Sequence, residues 1–204
     1  MLSVEEAQQR IIAAAKTVPA EQCSLADGLG RVLAEDLEAR RTQPPSAVSA
    51  MDGYAVRAED VATVPATLDV IGYAPAGDAF TGTVGANQAV RIFTGGPVPD
   101  GADAIVIQED TETDGDTVIV KESSPSGHYI RPAGLDFSAG DRLLTVGQVL
   151  TARDIGLAAA MDRPWLMVRR KPRVAILATG DEVVMPGDPV GPNQIVSSNA
   201  LALA

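Results

Sequence analysis

Four short segments of the chain place carboxylate or hydroxyl side chains next to glycine, and loops of this kind often carry functional groups. Carboxylate oxygens bind hard cations such as Mg²⁺, and carboxyl groups also act as general acids or bases. The segments are SAMDGYAV at 49–56, RIFTGGPVP at 91–99, RPAGLD at 131–136 and TGDE at 179–182.

Each of the first three segments also fits an ordinary loop. The turn at Asp52 either leads into a strand or presents a cation ligand or acid/base group at a loop tip. The run 94–96 (TGG) is either a glycine-proline turn or a loop whose N–H groups and hydroxyl approach an anion. Asp136 is either a solvated acid or a metal carboxylate.

The fourth segment carries the strongest local indication of a site. The apolar run Val174–Ala178 predicts a strand that is buried on both faces of a parallel sheet and opens an α/β domain. Ligands of open α/β sheets bind beyond the carboxyl ends of the strands. Asp181 and Glu182 follow at that position, so they are candidate oxygen ligands.

The composition excludes several classes of function. The chain has 204 residues, a net charge of −11 and 3% aromatic residues, which argues against nucleic acid as the main partner. The scarcity of aromatic residues also argues against a carboxylate glycosidase. One histidine and one cysteine exclude zinc sites rich in these residues and a disulfide framework. No apolar run suits a membrane helix and no secretory signal is evident, so we expect a cytoplasmic protein without a membrane partner.

Three other features receive ordinary interpretations. The basic run 169–173 is expected to be a solvated linker, although it could attract a phosphate-bearing ligand. His128 is expected to lie in a loop or on the surface, and Cys23 to fill a buried apolar space.

The elements that must position these segments are short. Ser3 and Glu6 form a capping-box pattern, and the apolar spacing after it predicts a helix over 4–17. Residues 46–142 are predicted to be β-rich, as a small barrel or sandwich. The predicted strands are Thr67–Tyr73, Ala89–Phe93, Ala104–Gln108 and Thr117–Lys121, with a hairpin turn at Asp114-Gly115 between the last two.

The last third of the chain changes pattern. Leu143–Leu150 is predicted to be extended, Thr151 to cap a helix, and Pro164–Val168 to form a strand. Residues 198–204 read as the start of a capped helix. We therefore expect the N-terminal part of a longer protein that is cut inside its α/β domain.

The four segments together resemble one family. The stretches SAMDGYAV, RIFTGGPVPDGADAIV, IRPAGLDF and RVAILATGDEV occur in the order found in the molybdopterin molybdenumtransferases, to which the gephyrin E domain is similar. The resemblance covers the N-terminal half of that family and extends over nearly the whole chain. It implies an α+β multidomain fold and a homodimer.

The resemblance implies four domains, one of which is formed by two separate stretches of the chain. They are an N-terminal helix at 1–18, a discontinuous elongated linker domain of mixed structure at 19–45 and 143–170, a β-rich barrel or sandwich at 46–142, and the truncated start of an α/β pterin-binding domain at 171–204.

The implied reaction belongs to molybdenum cofactor biosynthesis. Molybdate is inserted into adenylated molybdopterin with Mg²⁺ and AMP is released, at a site between the α/β domain of one subunit and the β domain of the other. The implied catalytic residues are Asp52, Thr94, Asp136 and Glu182. The implied metal ligands are Asp52, Asp136, Asp181 and Glu182, and the implied cofactor-binding residues are Gly95, Gly96, Gly180, Ser198 and Asn199.

Two further expectations concern partners and activity. A molybdopterin adenylyltransferase is an expected partner because it supplies the adenylated pterin. The alternative to the enzyme is a non-catalytic dimerisation scaffold of the gephyrin type. In either case we expect the 204-residue chain to be inactive by itself.

Overall fold

The computed structural model describes residues 2–203, which form a mixed fold of many short strands and few helices. Contacts divide the chain into two units, one made of residues up to Glu21 and from Arg169 onward, the other of Gln22–Val168. The helices are Val4–Ala14 (α1), Ala152–Ala160 (α2) and Asn199–Leu203 (α3). The strands are Ala20–Ser24 (β1), Leu37–Glu38 (β2), Val48–Ser49 (β3), Gly53–Val56 (β4), Ala66–Ala74 (β5), Gln88–Ile92 (β6), Ala104–Ile107 (β7), Thr111–Asp114 (β8), Thr117–Val120 (β9), Ile130–Arg131 (β10), Arg142–Leu144 (β11), Trp165–Arg169 (β12), Val183–Val184 (β13) and Ile195–Val196 (β14).

A six-stranded sheet dominates the larger unit, with strand order β7-β4-β6-β5-β9-β8. Strands β5 and β6 run parallel, and the other neighbours are antiparallel. The two edge strands are consecutive in the chain, and only the 3₁₀ turn Gln108–Asp110 separates them. Four residue steps span at most about 14 Å, whereas the edges of a flat six-stranded sheet lie about 24 Å apart. The sheet must therefore curl so that its two edge strands approach each other.

Both faces of this sheet are covered. All four residues of β4 are buried. Tyr54 and Val56 pack in one apolar cluster, whereas Ala55 between them packs in another. This division follows from the alternation of side chains along a strand. The strand that follows Asp52 is thus held from both sides.

A separate core lies under the remaining elements of the larger unit. Helix α2 begins at a capping box in which the Thr151 side chain and the Asp154 side chain each accept a backbone hydrogen bond from the other residue. Cys23 is half-buried against this core. The buried members of the core are Leu33, Leu37, Ala39, Phe137, Leu144, Leu150, Ala158, Met161, Leu166 and Val168.

Most of the predicted elements are confirmed. The N-terminal helix has the predicted capping box and ends at Ala14. The four predicted strands of the β-rich region correspond to β5, β6, β7 and β9, and the Thr151 cap, the helix after it and the strand after Pro164 are also present. The predicted α+β class is confirmed. The assignment of individual domains stays a prediction.

Two predictions for the larger unit are wrong. The turn at Asp114-Gly115 joins β9 to β8 rather than to β7, because the polar and largely exposed sequence TETD forms a strand that its composition did not indicate. The predicted extended run Leu143–Leu150 is a strand only as far as Leu144, since the chain then turns at Gly147, where φ is +86°.

The predicted strand at Val174–Ala178 is not formed. Val174 and Leu177 are 75% and 83% exposed, and residues 2–203 contribute no strand that pairs with this run. A fully buried strand requires neighbours in the sheet and cover on both faces. In this unit the parallel pair is instead β13 with β14. The predicted helix at 198–204 is confirmed as α3, while Met1 and Ala204 lie outside the described residues.

Within residues 2–203, none of the helices is both long enough and apolar enough to cross a membrane.

A substitution at Gly53 tests how closely β4 packs against β7. A Cβ atom at Gly53 would overlap the carbonyl oxygen of Val106 on β7. We expect Gly53→Ala to lower the free energy of unfolding by about 1–3 kcal/mol, as overpacking does elsewhere, in urea denaturation followed by circular dichroism. The control is Gly156→Ala in α2, where a Cβ meets open space and stability should rise by about 0.5–1 kcal/mol. Equal stability of the two variants would contradict this packing.

Candidate functional site

Strand β3 brings three of the four segments together. The Ser49 N–H donates to the Gly96 carbonyl at 2.9 Å, and the Gly95 N–H donates to the Ser49 carbonyl at 2.9 Å. On its other side β3 pairs with β10, with Ser49 opposite Ile130. The segments that contain Asp52, Thr94 and Asp136 are therefore joined by backbone hydrogen bonds.

Asp52 is held as a carboxylate by Thr94. The backbone N–H and the side-chain hydroxyl of Thr94 both donate to Oδ1 of Asp52, each at 2.7 Å. The backbone bond is the largest cause that lowers the pKa of Asp52, the hydroxyl bond is next, and the charge of Arg91 adds to them, while partial burial opposes the shift. The ionised form of Asp52 is therefore more favoured than that of an ordinary aspartate.

The loop before Asp52 is fixed by the Ser49 side chain. Its hydroxyl donates to the Met51 carbonyl at 2.6 Å and accepts from the Met51 N–H at 3.3 Å. The Gln108 N–H donates to the Asp52 carbonyl at 3.1 Å. The Asp52 side chain is thus presented from a backbone that is restrained on both sides.

The two glycines after Thr94 suit a tight turn that packs closely against β5 and the loop after it. Gly95 has a φ of +82°, a conformation that favours glycine. A Cβ on Gly96 would overlap the Ala74 carbonyl. The expectation that the N–H groups of 94–96 approach an external anion is not met in this structure. They donate to the Asp52 carboxylate, the Ser49 carbonyl and the Phe93 carbonyl.

Asp136 lies at the other side of β3, after β10. The Arg131 guanidinium donates to its Oδ1 at 3.1 Å and its Oδ2 at 3.2 Å. The Asp136 N–H donates to the Gln43 carbonyl at 3.0 Å, which anchors the loop. Both side chains of the ion pair are about half exposed, so the pair stabilises the fold by only about 0–1 kcal/mol and its carboxylate stays accessible.

The fourth segment belongs to the smaller unit. Gly180 has a φ of +136° and lies against the carboxylate of Glu182. The Ile195 N–H donates to the Glu182 carbonyl at 2.8 Å, which ties this residue to β14. Ser198 and Asn199 line a cavity of about 310 Å³ together with Thr179. Asp181 and Glu182 are not among the residues that line it.

The four predicted metal carboxylates are divided between the units. Asp52 and Asp136 lie in the larger unit, and Asp181 and Glu182 lie in the smaller one. No three His, Cys, Asp or Glu residues within 2–203 form a group that could hold a metal ion. The predicted ligand set therefore stays a prediction.

A family model described as the MoeA N-terminal region (domain I and II) matches residues 2–161. The chain belongs to this family. The resemblance inferred from the four segments is thereby confirmed.

Relatives of known name and structure extend this match. The molybdopterin molybdenumtransferase of Nostoc sp. is 41% identical over 179 residues, which are 86% of this chain and 41% of that protein. Molybdopterin molybdenumtransferase 2 of Mycobacterium tuberculosis is 39% identical over 208 residues, or 100% of this chain and 51% of that protein. The crystal structure of the molybdopterin biosynthesis MoeA protein from Pyrococcus horikoshii OT3 has a TM-score of 0.91 at 31% identity and covers 100% of this chain and 55% of that protein. The chain spans about half the length of the curated relatives it matches.

The residues that support Asp52 in this MoeA N-terminal region have no role predicted from the sequence. Ser49 and Arg91 lie inside the four segments; Ser49 acts through its neighbour Met51, whereas Arg91 contacts the distant residues Gly53 and Gln108. Gln108 is predicted only as the end of a strand. A charged Arg91 within an otherwise apolar strand was the available signal, since such a residue needs polar partners when it is partly buried.

His128 has an ordinary structural setting. Its side chain is exposed and stacks on Tyr129 with ring centroids 3.9 Å apart, and its Nδ1 lies 3.1 Å from the buried Ser124 hydroxyl. The Ser124 hydroxyl also donates to the Ile105 carbonyl at 2.6 Å. These contacts anchor the loop before β10.

The hydroxyl of Thr94 can be tested directly. Thr94→Val removes one donor to Asp52 and leaves the backbone N–H, so the pKa of Asp52 should rise toward its ordinary value. A lowered native pKa stabilises the fold above the unfolded-state value of about 3.9, and this stabilisation is lost as pH falls through the native pKa. The variant should therefore lose less stability than the wild type between about pH 5 and pH 2.

The measurement is a carboxyl ¹³C NMR titration of Asp52, with urea unfolding at several pH values. The matched control is Thr117→Val, which removes a hydroxyl that donates to the Asp114 carbonyl at 2.8 Å and should leave the Asp52 titration unchanged. Identical titrations of Asp52 in wild type and Thr94→Val would contradict the assigned role of the hydroxyl.

Proposed function

We propose that the chain is the N-terminal part of a molybdopterin molybdenumtransferase in molybdenum cofactor biosynthesis. The full-length enzyme inserts molybdate into adenylated molybdopterin and releases AMP. The observation that carries the proposal is the Asp52 carboxylate, which accepts two hydrogen bonds from Thr94 beside the Gly95-Gly96 turn. The names of the relatives at 41% and 39% identity agree with it.

Thr94 orients the Asp52 carboxylate for this task. Both hydrogen bonds from Thr94 end on Oδ1, so Oδ2, which accepts neither of them, would be available to a bound ion. Asp136 lies on the opposite side of β3 from the Gly95-Gly96 turn and supplies a second carboxylate. Asp181 and Glu182 complete the proposed set from the α/β domain.

The donors fit Mg²⁺ in kind, because all of them are carboxylates and Mg²⁺ prefers oxygen ligands. Bound Mg²⁺ neutralises phosphate charge and polarises the phosphate bond that is broken. Local compensation of this kind is needed since the chain carries a net charge of −11 and both substrates are anions. The sulfur ligands of molybdenum come from the pterin, so a single cysteine suffices.

The residues proposed to meet the pterin substrate are Gly95, Gly96, Gly180, Ser198 and Asn199. Support comes from the cavity of about 310 Å³ that Ser198 and Asn199 line. We further propose a cytoplasmic homodimer in which the β-rich region of one subunit faces the pterin domain of its partner, and a molybdopterin adenylyltransferase that supplies the substrate.

The test uses the full-length protein. Asp52→Asn and Glu182→Gln should each lower molybdate insertion by about 10²-fold or more, since a preorganised charge at the reacting group is lost. Insertion is followed as AMP release and as molybdenum bound to pterin. The control is Glu112→Gln, which removes an exposed acid that pairs with Lys121 on the β8-β9 hairpin.

The outcome that removes the proposed site is wild-type turnover in both variants. The 204-residue chain by itself should show no AMP release, and turnover by this chain would contradict the need for the additional domain. If wild-type full-length protein fails to restore cofactor synthesis in a deficient cell, a dimerisation scaffold replaces the enzyme as the function.

A further inference from the structure

The guanidinium of Arg91 lies over two aromatic rings beside the Asp52 loop. Its Cζ is 5.1 Å from the ring centroid of Tyr54 and 5.0 Å from that of Phe93. Tyr54 is buried, so its ring cannot move without disturbing the sheet. Stacking on aromatic faces favours a planar guanidinium in a fixed orientation.

The hydrogen bonds of this guanidinium reach the residue after Asp52 and a residue that contacts the Asp52 carbonyl. Nη1 donates to the Gly53 carbonyl at 3.0 Å, and Nη2 donates to the Gln108 side-chain oxygen at 2.6 Å. The Gln108 backbone N–H in turn donates to the Asp52 carbonyl at 3.1 Å. Arg91 therefore holds the residue after Asp52 directly and the carbonyl of Asp52 through one neighbour.

Sheet register explains why one residue reaches all of these groups. Arg91 of β6 lies opposite Tyr54 of β4, and β4 pairs on its other edge with β7, where Gly53 lies opposite Ile107. Thr94, which binds the Asp52 carboxylate, follows Arg91 by three residues in the same segment. One stretch of chain thus contacts the Asp52 loop through a guanidinium, a backbone N–H and a hydroxyl.

We propose that Arg91 is a positioning residue that fixes the Asp52 carboxylate relative to Thr94, acting through Gly53 and Gln108. This role of Arg91 rests on the proposed function, in which the Asp52 carboxylate binds Mg²⁺. We expect that lysine cannot replace Arg91. An ammonium group lacks the planar fork of a guanidinium, which donates to two acceptors and stacks on aromatic rings.

The test measures amide hydrogen exchange by NMR in the 204-residue chain, without substrate or metal. Arg91→Lys and Arg91→Met should each speed exchange of the Thr94 and Gln108 N–H groups by about tenfold or more, the loss expected for hydrogen bonds to a charged donor. The Ile105 N–H, which donates to the His128 carbonyl, should keep its wild-type rate. Arg142→Met, which breaks an exposed ion pair with Asp36 at 2.9 Å, is the control and should change none of these rates.

Two results with the Arg91 variants overturn the proposal. Wild-type exchange at Thr94 and Gln108 in the lysine variant shows that the fork is not needed. Equal acceleration at all amides, including Ile105, shows that Arg91 only stabilises the sheet. If neither Arg91 variant folds, Gln108→Leu removes the acceptor alone, and the backbone N–H at position 108 should then exchange several-fold faster. A wild-type rate at that position also overturns the proposal.

A second measurement separates this inference from the proposed function. In the full-length protein, Arg91→Lys should lower kcat for molybdate insertion and leave KM for the pterin nearly unchanged, because the substrate-contacting residues are retained. If Asp52→Asn lowers turnover, an unchanged kcat in Arg91→Lys overturns the inference. If Asp52→Asn itself retains turnover, the proposed function fails, and the exchange rates still decide whether Arg91 fixes the carboxylate.

Discussion

The backbone pairing between Ser49 and the Gly95-Gly96 turn is the contact on which the rest of the candidate site depends. Strand β3 pairs with this turn on one side and with β10 on the other, so it brings together segments that are distant in the sequence. The β4–β6 register, in which Gly53 lies opposite Ile92, also places Asp52 beside Thr94, and the Arg131–Asp136 pair lies on the β10 side of β3. The hydrogen bonds between Ser49 and the Gly95-Gly96 turn join backbone atoms. The type of side chain therefore matters mainly where a Cβ atom would keep the two backbones apart.

Two glycines lie where backbones around the site approach closely. Gly53 lies against Val106 of the paired strand β7, and Gly96 lies against Ala74 at the end of β5. Packing that is this close leaves no room for a Cβ atom at either position. These contacts therefore restrict which residues can stand on either side of the Asp52 loop.

Electrostatics then determine what this loop can bind. Thr94 supplies two hydrogen bonds to one carboxylate oxygen, and Arg91 supplies a nearby positive charge, so the pKa of Asp52 lies below its ordinary value and the carboxylate form is stabilised. A fixed anion of this kind suits a hard cation more than an anionic substrate. In an acidic chain, an anionic ligand must therefore be met through an ion or through groups outside this loop.

The amino-acid sequence by itself determined the family, the helix caps at Ser3 and Thr151, and most of the strands, because capping and period-2 patterns are local signals. It also singled out Asp52, Thr94 and Asp136 as candidates. Only the tertiary structure decided that the Thr94 N–H binds Asp52 rather than an outside anion, and that Arg91 and Gln108 support it. It also decided that the apolar run after Arg173 is exposed, since a buried strand depends on neighbours that local sequence does not encode. Contacts between residues that are distant in the chain depend on the strand register and on the curvature of the six-stranded sheet. Both follow from the packing of the whole sheet.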